Sequence, residues 1–375
     1  MKYIKFEIRM NHFFSLSISR RFCYAFAVVI ALNLTSCSTP PEREVTVLPK
    51  TPVKIEPVVV PQIVKPTLPE ITMPLSIDAN VKNFVQKMVS KHHFNEFELM
   101  DLLQSAVIKQ DILKRIASPS EGLPWFKYRK IFMTEARIDG GVKFWRENAE
   151  ALANVSAQTG VASEIIVAII GVETGYGKNM GNHRVLDALA TLSFAYPPRS
   201  AFFTGELENF LLLCREENMN PREPVGSYAG AMGYPQFMPS SFRALAKDFE
   251  QDGHRDIWKN PRDAIASVAN YFEKNGWQRA QDVAVRAKAV GNQYKSVLNK
   301  DLKPNMTLAQ LNRVNVSATE NIPANASAKL VALEQIENDE LWLGLHNFYV
   351  ITRYNHSPLY AMAAYQLSQE IKQRR

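Results

Sequence analysis

Residues 165–177 read I-I-V-A-I-I-G-V-E-T-G-Y-G, an apolar run with one carboxylate, Glu173, near its end. Ile165, Ile166, Ile169, Ile170 and Val172 predict a helix buried on most sides, with Ser163 as its N-cap. Gly175 and Gly177 stop it. Glu173 then falls in the last turn, where burial and the negative end of the helix dipole both disfavour the ionised form. A carboxylic acid kept neutral in this way is suited to general-acid chemistry. The same placement also serves a structural Glu that caps its own helix end or pairs with a distant arginine, and the run alone leaves both readings open.

Outward from this helix, apolar residues keep three- and four-residue spacing across most of residues 78–280. The segments are 81–89, 94–107, 142–155, Ser163–Thr174, 186–194, 204–215, 239–249 and Pro261–Lys274. Residues 281–344 differ. V-A-V-R-A-K-A-V at 283–290 alternates with a period of two, and apolar residues then sit among Asn, Ser and Pro, so a small β-containing subdomain is expected. Residues 342–349 and 360–372 return to helical spacing, and 345–375 are expected to close back on the helical core. The fold class is therefore mainly α (α+β), with a helical region and core over 78–280.

The N-terminus indicates the compartment. Arg20 and Arg21 precede a short apolar stretch at 22–34, followed by Leu34-Thr-Ser-Cys37. A basic flank, a short apolar run and small residues describe a secretory signal over 1–36, and the run is too short to span a bilayer. The Leu-Thr-Ser-Cys ending resembles the lipobox of bacterial lipoproteins, which implies cleavage before Cys37 and lipid attachment to it. Ser38 resembles the sorting rule for outer-membrane delivery, facing the periplasm. Met10 is an alternative start.

Residues 1–36 carry five cations against Glu7, a net of +4, so the formal +7 falls to +3 for the processed chain. That removes most of the support for a nucleic-acid partner. Cys23 leaves with the signal and Cys37 carries lipid, so Cys214 has no disulfide partner. Residues 37–77 form a proline-rich stretch that favours polyproline II and reads as a tether.

Two further stretches carry candidate chemistry. Gly226, Gly230 and Gly233 let backbone approach something closely, and Ser227, Tyr228, Tyr234 and Gln236 offer hydroxyls and an amide beside aromatic faces, a combination suited to sugar rings. A tightly turned structural loop explains the same glycines. From Asp248 the spacing follows an EF-hand loop, with Asp248, Glu250, Asp252 and Asp256 at positions one, three, five and nine, Gly253 at six and His254 at seven. Lys259 takes the twelfth position, where a bidentate acid is usual, so a structural Ca²⁺ site is weighed against a metal-free loop. Glu206 and Glu208 are candidate second carboxylates or members of a salt-bridged face. No Walker loop, GxGxxG, CxxC pair or HExxH occurs, and the histidines show no metal-ligand spacing.

Six stretches together resemble the membrane-bound lytic murein transglycosylase B family. They are V-E-T-G-Y-G at 172–177, Y-P-P-R-S-A-F-F-T-G-E-L-E-N-F-L-L at 196–212, G-S-Y-A-G-A-M-G-Y-P-Q-F-M-P-S-S-F at 226–242, D-G-H-R-D-I-W at 252–258, S-V-A-N-Y-F at 267–272 and R-Y-N-H-S-P-L-Y at 353–360. The resemblance runs over about residues 80–375 and implies a lysozyme-like helical catalytic core.

It also implies cleavage of the β-1,4 bond between N-acetylmuramic acid and N-acetylglucosamine of peptidoglycan glycan strands, with formation of a 1,6-anhydro ring. The family's single catalytic acid falls on Glu173, and no cofactor is required for the chemistry. One Glu then donates to the glycosidic oxygen and later takes the proton of the attacking C6 hydroxyl, where ordinary glycosidases use two carboxylates. The resemblance places Ser227 and Gln236 beside the scissile sugar and Tyr271 as a wall. Tyr128, Arg199, Tyr354, Asn355 and Tyr360 fall at groove positions. Two departures stand out: Pro235 replaces the family's usual Gly, and Lys259-Asn260-Pro261 is one residue longer than the usual W-D-P, displacing the closing acid. A hydrolytic muramidase on the same fold and a non-catalytic peptidoglycan-binding lipoprotein are the alternatives. Partners among cell-wall synthesis or division proteins are not specified.

Overall fold

The computed structural model describes residues 72–117 and 123–375. The signal segment, Cys37 and the tether up to residue 71 lie outside the described residues. Folded chain begins earlier than the expected tether boundary of 77. Strand β1 (Thr72–Pro74) pairs antiparallel with β2 (Val107–Lys109), Met73 opposite Ile108, and Leu75 is buried. The pair is anchored because two β-branched residues, Val107 and Ile108, follow the helix that sequence spacing extended to 107.

Helices α1 (Ala79–His92) and α2 (Glu96–Gln104) lie between these strands in the chain. Asp78 Oδ1 caps α1 by accepting from Asn80 N at 2.8 Å, and Asn95 caps α2 in the same manner. There follow α3 (Gln110–Ile116), α4 (Trp125–Phe132), α5 (Glu135–Glu147), α6 (Ala149–Thr159) and α7 (Ser163–Thr174). The expected single helix at 142–155 is broken at Asn148, whose backbone is non-helical and whose amide donates to Phe144 O at 2.9 Å. Next come β3 (His183–Arg184), α8 (Val185–Phe194), α9 (Ser200–Glu216), β4 (Val225–Gly226), α10 (Pro239–Leu245) and α11 (Pro261–Lys274). Helix α10 stops before the expected residue 249 because α11 captures its exit. Asn270 donates to Leu245 O at 2.8 Å, and Ser267 Oγ accepts from Lys247 N at 2.9 Å.

Strands β5 (Ala284–Ala289), β6 (Met306–Thr307), β7 (Val316–Ala318), β8 (Ser327–Leu333) and β9 (Glu340–Gly344) form an antiparallel sheet in the order β6-β8-β9-β5-β7, with α12 (Leu308–Asn312) attached. Trp342 belongs to β9, opposite Val331, and not to a helix at 342–349. Its helical successor is α13 (His346–Tyr354), then α14 (Pro358–Arg374). Alternation along the sheet gives each face its own partner. Val331, Leu333 and Trp342 join a core with α4–α7, α11, α13 and α14, while Leu330, Leu341 and Leu343 pack with α12 residues. A second core gathers α1–α3 and α8–α10.

Candidate active site

Residues 165–170 of α7 are all fully or almost fully buried, so the helix has no solvent face in its middle. Ala162, and not Ser163, occupies the N-cap, and Ser163 Oγ instead donates to Leu152 O at 3.3 Å. At the other end Gly175 adopts φ 58°, and Gly175 N and Tyr176 N turn back to Gly171 O and Ile170 O. Tyr176, itself at φ 64°, lays its ring on Gly140 and Gly171 and donates from its hydroxyl to Arg137 O at 2.8 Å. A Cβ on Gly171 would stand 2.5 Å from that hydroxyl oxygen.

Glu173 therefore emerges from a rigid helix end. Its side chain is half-buried, and desolvation pushes its pKa up from 4.5 to about 7, with the Tyr360 hydroxyl opposing that rise. Tyr360 donates to Glu173 Oε1 at 2.6 Å. Tyr354 stacks on Tyr360 (ring centroids 6.4 Å apart, planes 8° apart), and Tyr271 packs on Tyr354 at 4.7 Å. The Tyr354 hydroxyl donates to Pro235 O at 2.5 Å and that of Tyr271 to Arg353 O at 2.6 Å. These hydroxyls are committed to protein, so Tyr354 and Tyr271 present rings. Pro235 contributes its carbonyl to this contact, which does not use the N–H that proline lacks.

Gln236 sits at φ 48° in the turn 232–237. Its Nε2 donates to Met180 O at 3.1 Å and Gly233 O at 2.9 Å, which orients the amide and leaves Oε1 to accept a ligand hydroxyl. Ser227 Oγ accepts from Ala229 N and Ala231 N, leaving its own proton to donate. The three glycines of this stretch face protein. A Cβ on Gly226 would meet Ala231 O at 2.3 Å, on Gly230 the Leu189 side chain at 2.6 Å, and on Gly233 the Ile257 carbonyl at 2.4 Å.

Tyr128 on α4 packs on Trp125 and Phe132. Asn355 follows α13 in extended backbone, half-buried. Arg199 is exposed and lies over the rings of Phe202 and Phe203 at 4.6 and 4.9 Å. The two carboxylates weighed as second acids are engaged elsewhere. Glu206 accepts from Ser240 N at 2.9 Å and Ser240 Oγ at 2.6 Å at the start of α10. Glu208 is nearly buried, yet bonds from Lys87, His92 and Lys91 outweigh that burial and hold it down at about 2.

The 248–263 segment is knit by Asp248, which accepts from Gln251 N, Asp252 N and Gly253 N, with Gly253 at φ 93°. Asp248 and Glu250 come together with Asp263, their oxygens all within 4.8 Å of one another. Asp252 and Asp256 lie outside that group of three and, like Asp248, accept from backbone N–H groups of their own turns, at His254 for the former and at Trp258 and Lys259 for the latter. His254 is exposed. Sequence reasoning missed Asp263, although Asn260-Pro261 marks a helix start whose first turn carries it. Asp263 is buried, and burial, then the charges of Glu250 and Asp248, raise its pKa to about 6 against two backbone hydrogen bonds that lower it. Three carboxylates facing one another, one of them buried, fit the oxygen-donor set of a hard divalent cation.

Comparison with known proteins gives a consistent picture. A family model described as Transglycosylase SLT domain matches residues 76–369. The chain is 43% identical over 302 residues to the membrane-bound lytic murein transglycosylase B of Escherichia coli (strain K12), covering 78% of this chain and 82% of that protein. Among solved structures, the catenated lytic transglycosylase SltB1 of Pseudomonas aeruginosa is similar with a TM-score of 0.76 at 46% identity, covering 79% of this chain and 98% of that one. The Escherichia coli lytic transglycosylase Slt35 in complex with calcium is similar with a TM-score of 0.75 at 42% identity, covering 81% and 96%.

Proposed function

The chain belongs to the transglycosylase SLT domain family and is a peptidoglycan lytic transglycosylase of lysozyme-like fold, and from that premise we propose that one carboxyl, Glu173, serves as acid and then as base. The bond broken is the β-1,4 link from N-acetylmuramic acid to N-acetylglucosamine. Neutral Glu173 donates its proton to the glycosidic oxygen as the bond to C1 breaks. The muramyl C6 hydroxyl then attacks C1, and the Glu173 carboxylate takes up the hydroxyl proton. A 1,6-anhydro ring closes, no water is consumed and the carboxylic acid is regenerated.

The observation that carries this reading is the half-buried Glu173 at the end of α7 with the Tyr360 hydroxyl 2.6 Å from its Oε1, a setting that pushes its pKa up to about 7. At that value both protonation states are accessible near neutrality, as an acid that later acts as base requires. Between the two steps, the Tyr360 hydroxyl stabilises the carboxylate. An intramolecular nucleophile has a high effective molarity, so a second carboxylate to activate water is unnecessary. The commitment of Glu206 and Glu208 to other contacts supports the single-acid scheme. Gln236 Oε1, the Ser227 hydroxyl, Asn355, Arg199 and the rings of Tyr128, Tyr271 and Tyr354 are assigned to binding the glycan.

The reading extends to a cation and to an anchor. Asp248, Glu250 and Asp263 would hold Ca²⁺, which when bound neutralises three facing carboxylates and takes no part in bond cleavage. Lipid on Cys37 would hold the enzyme at the outer membrane, facing the periplasm.

Mass analysis of muropeptides from purified sacculi tests the reaction. Wild type is expected to release ends one water lighter than hydrolysed ends, and Glu173→Gln to release none while remaining folded. Products carrying only reducing ends would overturn the reaction in favour of a muramidase. Unchanged turnover by Glu173→Gln would remove Glu173 from the chemistry.

A further inference from the structure

We propose that Thr174 is the positioning residue of Glu173, and that through the turn at Tyr234 it ties the catalytic carboxyl to the 248–263 loop. The inference rests on Glu173 as the reacting group. Thr174 is 1% exposed and directly follows Glu173. Its Oγ1 lies 3.1 Å from Tyr234 O, 3.2 Å from Ile170 O and 3.0 Å from Gly177 N.

A hydroxyl has one proton and two lone pairs. Ile170 O already accepts from the backbone of the helix cap. Tyr234 O has no other donor among the described residues. The proton therefore goes to Tyr234 O, the carbonyl that would otherwise be left without a donor. The lone pairs accept from Gly177 N. One side chain thus joins the end of α7, the turn at Gly177 and the turn 232–237 that carries Gln236.

The connection continues by backbone bonds. Tyr234 N donates to Ile257 O at 2.9 Å, an approach that Gly233 permits because it has no side chain. Asp256 N donates to Asp263 Oδ2 at 2.8 Å, and Asp263 Oδ1 accepts from Phe249 N at 2.8 Å. Glu173 is thereby held from two sides, at its carboxyl by Tyr360 and at its backbone by the Thr174 strut. A displacement of about 1 Å at a reacting group can cost on the order of a hundredfold in rate.

The test compares Thr174→Val, which keeps shape and removes the hydroxyl, with Thr174→Ser, which keeps the hydroxyl. Measurements are made with a chelator present, so that no metal contributes. Readouts are kcat and KM on glycan strands and the ¹³C titration of the Glu173 carboxyl, assigned against Glu173→Gln. Thr174→Val is expected to lower kcat about tenfold or more with KM within about twofold and to displace the Glu173 titration, and Thr174→Ser to restore both. Equal loss in Thr174→Val and Thr174→Ser, or an unmoved titration in folded Thr174→Val, would overturn the proposal. Should Glu173→Gln itself stay active, the reading of the reaction fails, while the titration still judges the strut. At the far end, Asp263→Asn is expected to speed amide exchange at both Asp256 and Tyr234. Faster exchange at Asp256 with Tyr234 unmoved would sever the loop from the site.

Discussion

The hydroxyl of Tyr360, in the first turn of α14, donates to the carboxyl of Glu173, 187 residues earlier in the chain, at 2.6 Å. That bond favours the ionised carboxylate and so opposes the effect of burial. Tyr360→Phe removes the opposition, and the pKa of Glu173 is expected to rise further above 7. In the pH profile of kcat/KM, the loss of activity on the alkaline side should move to higher pH. A limb that stays put or moves down would show that Tyr360 does not tune the acid.

Folding stability offers a second readout of the same carboxyl. Its folded-state pKa is raised from 4.5 to about 7, so the native state binds its proton more tightly than the unfolded chain does. Below pH 4.5 both states are protonated and the residue has no effect. As pH rises from 4.5 through 7 the native state loses stability relative to a neutral side chain, by at most about 3 kcal/mol. Glu173→Gln is therefore expected to raise the melting temperature at pH 8 and to leave it nearly unchanged at pH 4. Equal melting curves at both pH values would argue against a buried acid.

Gly181 offers a purely steric prediction. It has φ 92°, and a Cβ there would stand 2.0 Å from Gly226 O. Backbone lies on both sides, so no side chain can swing away. Gly181→Ala is expected to cost about 2 kcal/mol or more in chemical denaturation. A loss under half of that would mean the two segments separate at little cost.

The carboxylate cluster predicts a stabilising cation. Calcium chloride is expected to raise the melting temperature of the wild type in a concentration-dependent way, because a ligand bound only to the native state adds RT ln(1 + [L]/Kd). Asp263→Asn should abolish most of the rise, and Asp252→Asn, whose carboxylate lies outside the group of three, should leave most of it. The reverse order would restore the ligand set that loop spacing alone indicates.

The anchor is tested in cells. Cys37→Ser is expected to move the protein from the membrane to the soluble periplasmic fraction and to abolish labelling by radioactive palmitate. Continued labelling of that variant would refute lipid attachment at Cys37.

Much of this arrangement is legible from local pattern. Residues 163–174 are largely apolar and are followed by Gly175 and Gly177, so both the buried helix and the raised pKa of its last acid follow from neighbours in sequence. Features set by partners far along the chain are not legible in this way. Asn148 looks like one polar residue inside a helical period, yet its side chain bonds Phe144 O and splits the helix. Trp342 satisfies helical spacing with the residues after it, but pairing with Val331 makes it strand. Gly226, Gly230 and Gly233 suggest room for a ligand, and the room is taken by Ala231, Leu189 and Ile257. Asp263 escapes notice because its relation to Asp248 exists only after α11 folds back over the loop.

Tyr360 is translated 187 residues after Glu173, so a nascent chain holds the acid long before it holds the acid's hydroxyl partner. A ribosome that stalls before residue 358 releases a product whose Glu173 lacks its hydroxyl partner and whose α7 lacks the cover of α14.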